Sequence, residues 1–300
     1  MRDIKYYKSR PKIDAHNHLN LGMRYPDFFS WSGTPIPDFP RVMDGLDEMH
    51  DVIAKYTRPR CRTAQDVADL IGMSIDAAVA DGVTVIEGSI DIGFMVHFEG
   101  NVDAFLRMTE DLVKKHSEKT LIRPELGLGK TFDKDKISMW APELMKSGVF
   151  ASIDLYGPEI EDGIEEFKYI FDLADKLSLK KRAHVGEFSD ARSVRRFVEY
   201  FGLDEVQHGI GAAQDDAVLQ FLADRKVRCN VCPQSNVMLK SVKSLKEHPI
   251  KRMIDAGVPV TVGTDDLLFF DRSVSEQIFD LVSAGVITES DADRILDQAR

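Results

Sequence analysis

The chain has 300 residues, 43% hydrophobic and 30% charged, with 39 Lys and Arg against 50 Asp and Glu for a formal charge of −11. This is globular composition with length enough for a large core. Bulk nucleic-acid binding is excluded, because an acidic chain without a basic, aromatic-interleaved stripe lacks the phosphate neutralisation that drives it; a lone nucleobase or nucleoside, carrying little backbone charge, remains compatible.

The N-terminus, Met1-Arg2-Asp3-Ile4-Lys5-Tyr6-Tyr7-Lys8, has no apolar leader segment. No run of 18 apolar residues occurs, so no membrane helix is expected. Three cysteines, Cys61, Cys229 and Cys232, do not make a disulfide framework. A soluble cytoplasmic protein is expected, and a homo-oligomer is one arrangement the sequence allows.

Eight short Val- and Ile-rich runs read as strands: 12–19, 83–91, 121–127, 149–156, 182–187, 205–209, 227–231 and 259–265. Between them lie stretches with helical spacing, among them 64–80, 102–116, 160–177, 189–201, 215–224 and 245–255. Regular alternation implies βαβ units and a parallel sheet. Eight repeats, with polar motifs at the strand ends and no glycine-rich first turn, predict a closed α/β (β/α)8 TIM barrel. No repeat or linker is visible, so residues 1–300 are read as one domain, ending in two short helices over 273–300.

Residues 20–62 form a long insertion after the first strand, against the ~2–6 residues usual for such loops. The segment holds Phe28, Phe29, Trp31, Phe39 and prolines 26, 35, 37 and 40. It is read as an active-site lid, because long βα loops and catalytic residues share one barrel face. The alternative is a packed surface excursion.

His16 and His18 stand at i and i+2 of the first strand, so both point to one face. His184 closes the fifth strand and Asp265 the eighth. Together these three histidines and one aspartate are read as the ligands of one divalent metal ion, expected to be Zn2+, with a position left for water. A lone carboxylate in the apolar strand around Asp265 is costly unless paired or metal-bound, and no basic neighbour in sequence pairs it. Zinc lowers the pKa of its water from ~15.7 to about 7. His208 is then read as taking the water's proton, Glu187 as the general acid, and Asp266 as a hydrogen-bonding partner for substrate. The bland alternatives are a helix-capping role for Glu187 and a satisfied core histidine for His208.

Other features carry less. No lysine ends the fourth strand, so a carbamylated lysine bridging two metals is not available there and a single metal is expected. Cys229-x-x-Cys232 has no partner pair for a structural zinc. His97-Phe98-Glu99 lacks the proline that a cytidine-type deaminase signature needs before its cysteines, although His97 follows the second strand on the site face. Gly127-Leu128-Gly129-Lys130-Thr131 lacks the first glycine of a P-loop. His50, His116 and His248 read as surface or helix residues.

Taken together, His16-Asn17-His18, His184-Val185-Gly186-Glu187, Gln207-His208-Gly209 and Gly263-Thr264-Asp265-Asp266 resemble, in order, the motifs of the adenosine deaminase family of the amidohydrolase superfamily. Asp154-Leu155-Tyr156-Gly157 and Cys232-Pro233-Gln234-Ser235-Asn236 are similar to two further family segments. The resemblance implies that His16, His18, His184 and Asp265 bind zinc and that Glu187 protonates ring N1 while hydroxide attacks C6. It also implies that His208 acts on the water, that Asp266 bonds N7 and that the Gly157 N–H meets a purine ring nitrogen. His18 and Asn20 flank the substrate, Asn20 standing where the family carries an aspartate that meets the sugar. The catalytic set is thus Glu187, His208 and Asp265. The expected activity is zinc-dependent deamination of a 6-aminopurine base, nucleoside or related aminated ring. Alternatives are hydrolysis of an amide, lactone or ester at the same metal, and a non-catalytic ligand-binding relative.

Overall fold

A computed structural model describes residues 2–159 and 162–299. Eight strand positions close into a parallel barrel. These are β1 (Ile13–Asp14), β2 in two pieces (Val85–Ile86 and Ser89–Asp91), β3 in two pieces (Leu121–Ile122 and Glu125–Gly129) and β4 (Ser152–Tyr156). Then follow β5 (Lys180–Val185), β6 (Glu205–His208), β7 (Arg228–Val231) and β8 (Val260–Val262). Neighbours pair in parallel from β8 back to β2, and β1 pairs with the first piece of β2. The ring is completed by bridges Asn17–Asp265 and His18–Ser89. The Asp265 N–H donates to the His16 carbonyl at 2.8 Å and the His18 N–H to the Asp265 carbonyl at 3.2 Å.

The eight expected strands are present, with β2 and β3 each interrupted at Glu87-Gly88 and Arg123-Pro124. Pro124 has no N–H to give to the ladder. Its carbonyl still accepts from Ala151 at 2.8 Å, so the sheet stays continuous.

The chain opens with the short helix α1 (Ile4–Ser9), and residues 20–62 contain α2 (Tyr25–Ser32) and α3 (Gly45–Val52). The helices α4 (Ala64–Ala80) and α5 (Val102–His116) occupy the expected ranges. Thr63 and Asp66 form a capping box on the first, and the Asn101 side chain caps the second, satisfying otherwise orphaned N–H groups. A helix not anticipated from sequence, α6 (Lys134–Lys146), fills the shell between β3 and β4. The shell continues with α7 (Lys168–Lys176), α8 (Ala191–Phe201) and α9 (Asp216–Arg225). Outward residues of the strands, such as Leu126, Leu128, Ile153, Leu155, Ala183 and Val185, pack fully buried beneath them. Three short helices follow: α10 (Pro233–Met238) after β7, α11 (Ile250–Asp255) before β8 and α12 (Leu267–Phe270) after it. The end of the chain forms two helices, α13 (Val274–Ser283) and α14 (Glu289–Leu296), as expected. Among the described residues no helix is long and apolar enough to cross a membrane.

The barrel interior is polar, which the apolar runs did not announce. Arg182 lies 2.7 Å from Glu125 and 2.7 Å from Glu205 and also contacts Glu87; Arg228 reaches Glu87 and lies 2.6 Å from Glu205. Burial opposes ionisation of Glu87, yet Arg182 and Arg228 hold it at about 2. Glu205 is likewise pulled down against burial, whereas burial pushes Glu125 up to about 8. Arg123, 2.9 Å from Glu87, and Lys180, 2.6 Å from Glu205, add two more exposed cations to this cluster.

The insertion at 20–62 is tied to both helices at the barrel mouth, α10 and α12. The Leu268 N–H donates to Leu21 and the Met43 N–H to Met238, while Phe39 packs edge-on against Phe269 with centroids 5.9 Å apart. It therefore sits on the barrel face where the strands end.

Replacing Arg182 by Leu removes the one fully buried cation of the cluster and leaves Glu87 and Glu205 with Arg228 and the more exposed Arg123 and Lys180, and removing one partner of a buried pair costs about 3–5 kcal/mol. A drop of that size in urea-unfolding free energy is expected, and a near-neutral result would show that the charges relax or protonate.

Candidate active site

The interior face of each strand carries the site by simple alternation. On β5, Arg182 and His184 point inward while Ala183 and Val185 face the shell; on β4, Ser152, Asp154 and Tyr156 point inward. The ionic layer thus lies one repeat below a layer of imidazoles. His16, His18 and His184 present nitrogens within 4.8 Å of one another, and the ligand atoms of Glu187, His208 and Asp265 lie equally close. Asp265 Oδ1 lies 3.6 Å from His18 Nε2 and 3.7 Å from His16 Nε2, and Asp265 Oδ2 lies 3.9 Å from His208 Nε2. The expected ligands and the expected acid/base residues are brought together.

Close approach of the first and last strands requires glycine at 263. A Cβ there would fall 2.6 Å from His16 Cβ and 2.7 Å from the His16 carbonyl oxygen. His208 and Asp265 both adopt left-handed backbone, φ 62° and 57°, at the points where their strands end. Such conformations concentrate at functional sites, where they re-aim a side chain.

The tautomers of two histidines follow from their outer contacts. His16 Nδ1 is 3.2 Å from the Asn230 carbonyl, which can only accept, so Nδ1 carries the proton. His184 Nδ1 is 3.0 Å from the Asp154 carboxyl group. Both Nε2 atoms are then bare, and they face each other at 3.0 Å. Two lone pairs at that separation repel unless a cation lies between them. The donor set therefore fits a divalent metal ion, as neutral imidazoles and a carboxylate suit zinc and its first-row neighbours.

Burial keeps these imidazoles neutral. His16 and His18 are pushed down to about 4, with Asp154 and Asp265 respectively opposing, and His184 and His208 are pushed well below the usual range. Burial pushes Glu187 and Asp266 well up, with Asp265 adding repulsion to each. Asp266 is buried, groups with His18 and Asp265, and its Oδ1 has no hydrogen-bond partner among the described residues.

The remaining expected residues are more loosely placed. Gly157 follows β4 with φ 105° beside Lys130, and Asn20 is half-buried in the turn after the first strand. His97 sits in a short helix with its ring 6.3 Å from Phe94. His50 is exposed and His116 is a helix residue, buried at the end of α5; the reading fails for His248, which is buried just before α11.

Asp154, Tyr156, Asn236 and Cys232 belong to the site without having been assigned a role. The Tyr156 ring packs 5.4 Å from that of His18, and Asn236 Nδ2 lies 3.2 Å from Glu187 Oε1. Inward alternation along 152–156 was the available signal for the first two. Cys232 groups with His16 and His208, but burial pushes its thiol well up, and a protonated thiol is a poor ligand.

A closed parallel barrel whose strand ends gather imidazoles and carboxyl groups around a metal-ready centre defines a metal-dependent hydrolase of the amidohydrolase type. The model of the adenosine deaminase family matches residues 37–299, and the chain belongs to that family; His16 and His18 precede the matched span. A Treponema pallidum (strain Nichols) protein, provisionally named adenosine/adenine deaminase, is 59% identical over 296 residues, 99% of each chain. Other curated relatives align over less, the chain spanning 33–48% of their length. The fold is shared with adenine deaminase from Arthrobacter aurescens (TM-score 0.83, 20% identity, 96% of this chain and 91% of that one). It is shared equally with a zinc-bound amidohydrolase from Burkholderia ambifaria (TM-score 0.82, 20% identity, 99% and 86%).

The burial of His18 makes a testable demand. Its folded pKa of about 4 lies below the unfolded value of ~6.5, so its contribution to stability is present above ~6.5 and is lost as pH falls toward about 4, where the unfolded chain binds a proton the folded site refuses. Chelator-treated His18→Gln should lose less stability than chelator-treated wild type over that interval in urea titrations; parallel curves would contradict the assignment.

Proposed function

We propose that the protein deaminates a 6-aminopurine base, nucleoside or related aminated ring. The observation that carries this reading is the buried Glu187 carboxyl, 3.4 Å from His208 and in one cluster with Asp265, where burial pushes it well above the usual carboxylate range. Ring deamination needs an acid that is still charged with its proton at neutral pH.

His16, His18, His184 and Asp265 would hold the divalent ion, for which zinc is the expected occupant. A divalent cation there supplies Lewis acidity, lowering the pKa of water from ~15.7 to about 7. Glu187 donates its proton to ring N1, which makes C6 electron-poor. Water adds at C6, ammonia departs from the tetrahedral carbon, and a 6-oxo ring remains. His208 stands beside the attacking oxygen. Asp266, with its unsatisfied Oδ1, accepts or donates at N7, and the Gly157 N–H meets a further ring nitrogen. Support for this reading comes from the family and from the full-length relative.

Residues 20–62 act as the lid in this reading, since they rest on the segments after β7 and β8 that also carry Asn236 and Asp266. Asn20, at the root of the lid, is the residue placed to distinguish base from nucleoside.

Ammonia release from metal-loaded protein with adenine, adenosine and modified aminopurines tests the reading; silence across the panel, with carbonyl substrates cleaved instead, would replace deamination with amide or ester hydrolysis. Glu187→Gln should keep its metal and lose ~10²–10⁴-fold in rate, the usual worth of a positioned general acid. Phe39→Ala, which loosens the lid from Phe269, should raise KM severalfold with kcat less affected; an unchanged KM would reduce the insertion to a surface excursion.

A further inference from the structure

Asn236 has no exposed surface and lies in α10, just behind Glu187 and His208. Its side chain makes three contacts, each at 3.2 Å. Nδ2 meets Glu187 Oε1 and His208 Nδ1, and Oδ1 meets His248 Nε2. His248 in turn receives the backbone N–H of Ile250 on its Nδ1, also at 3.2 Å.

Hydrogen-bond chemistry fixes every link of this chain from its outer end. A backbone N–H can only donate, so His248 Nδ1 is the bare nitrogen and, in the neutral ring, Nε2 carries the proton. Burial holds His248 at about 3, so the ring is neutral. Its Nε2–H needs an acceptor, which orients the Asn236 amide with Oδ1 toward His248 and the NH2 group toward the site. An NH2 group can only donate, so His208 Nδ1 is bare as well. We infer that Asn236 and His248 are positioning residues that hold His208 with its proton on Nε2, the nitrogen facing the catalytic cluster.

Inside the site, His208 Nε2 faces the cluster, 3.4 Å from Glu187 Oε2 and 3.9 Å from Asp265 Oδ2. The sequence reading gave His208 the task of taking a proton from water. In the tautomer set by Asn236, the inward nitrogen has no free lone pair; it donates a hydrogen bond to the attacking oxygen as negative charge develops there, and the water's proton goes to the Asp265 carboxylate of the same cluster. This catalytic consequence rests on the deaminase reading, whereas the tautomer does not.

Long-range 1H–15N correlation on metal-loaded protein with 15N-labelled histidine reads the tautomer directly, with His208→Gln giving the assignment. The expected spectrum shows an unprotonated Nδ1 and a protonated Nε2 for both His208 and His248. A protonated Nδ1 on His208 overturns the inference, whatever the activity. His248→Leu should free the Asn236 amide, mix the two His208 tautomers and lower kcat ~10–100-fold, the usual cost of losing an orienting partner, with KM little changed. His248→Gln, whose amide can accept from Ile250 and donate to Asn236, should restore the single tautomer and most of kcat. If Leu and Gln at 248 leave tautomer and kcat alike, His248 does not position the site. Should the variants fail to fold, the wild-type spectrum decides alone, and a chain silent on every aminopurine would sink the functional reading while leaving that spectrum to judge the tautomer.

Discussion

The structure depends on a polar column that runs up the barrel axis. Arg182 binds three glutamates from three other strands, Arg228 shares two of them, and Asn230 donates both to Glu205 at 3.1 Å and to Gln207 at 2.9 Å. The carbonyl of that same Asn230 accepts from His16. Ion pairs and metal-ready imidazoles are therefore successive layers of one network. Buried charges demand near-complete pairing, and that demand fixes strand register: a slip of one residue on β5 would turn both Arg182 and His184 out of the interior.

Above the column, the site is arranged so that each of three imidazoles has one nitrogen committed to an outer partner. Asn230 commits His16, Asp154 commits His184 and Asn236 commits His208. Such partners set which nitrogen is available to a metal or substrate. The carboxyl groups are treated the opposite way. Glu187 and Asp266 are buried with little to compensate their charge, and burial with the neighbouring Asp265 pushes both well above the usual carboxylate range. One pocket thus sets imidazoles pushed down beside carboxyl groups pushed up, which draws their proton affinities together and suits proton transfer.

Much of this was legible in the chain. The strand positions and α4 and α5 stood out because their apolar periodicity is undiluted and their caps, Thr63 with Asp66 and Asn101, are local. His16, His18, His184, His208, Glu187, Asp265 and Asp266 stood out because their residue types fall at strand ends. The interior column did not, because Glu87, Glu125, Arg182 and Glu205 each look like surface charges until the ring closes and pairs them. His248 was misread for the same reason: its burial depends on a partner twelve residues away in sequence, Asn236, and on no local pattern. The helix at 134–146 was passed over because charged residues and Pro142 interrupt its apolar face.

The close contact of Gly263 with His16 has a consequence for how the protein is made. These residues are separated by nearly the whole chain, and the hydrogen bonds that seal β1 to β8 come from His16, His18 and Asp265 themselves. Contacts of such long range are slow to form, because their loop entropy is lost before they are rewarded. A nascent chain still short of residue 265 holds most of the barrel and none of the finished centre. Ring closure and assembly of the pocket both wait on Asp265, whose backbone bonds to His16 and His18.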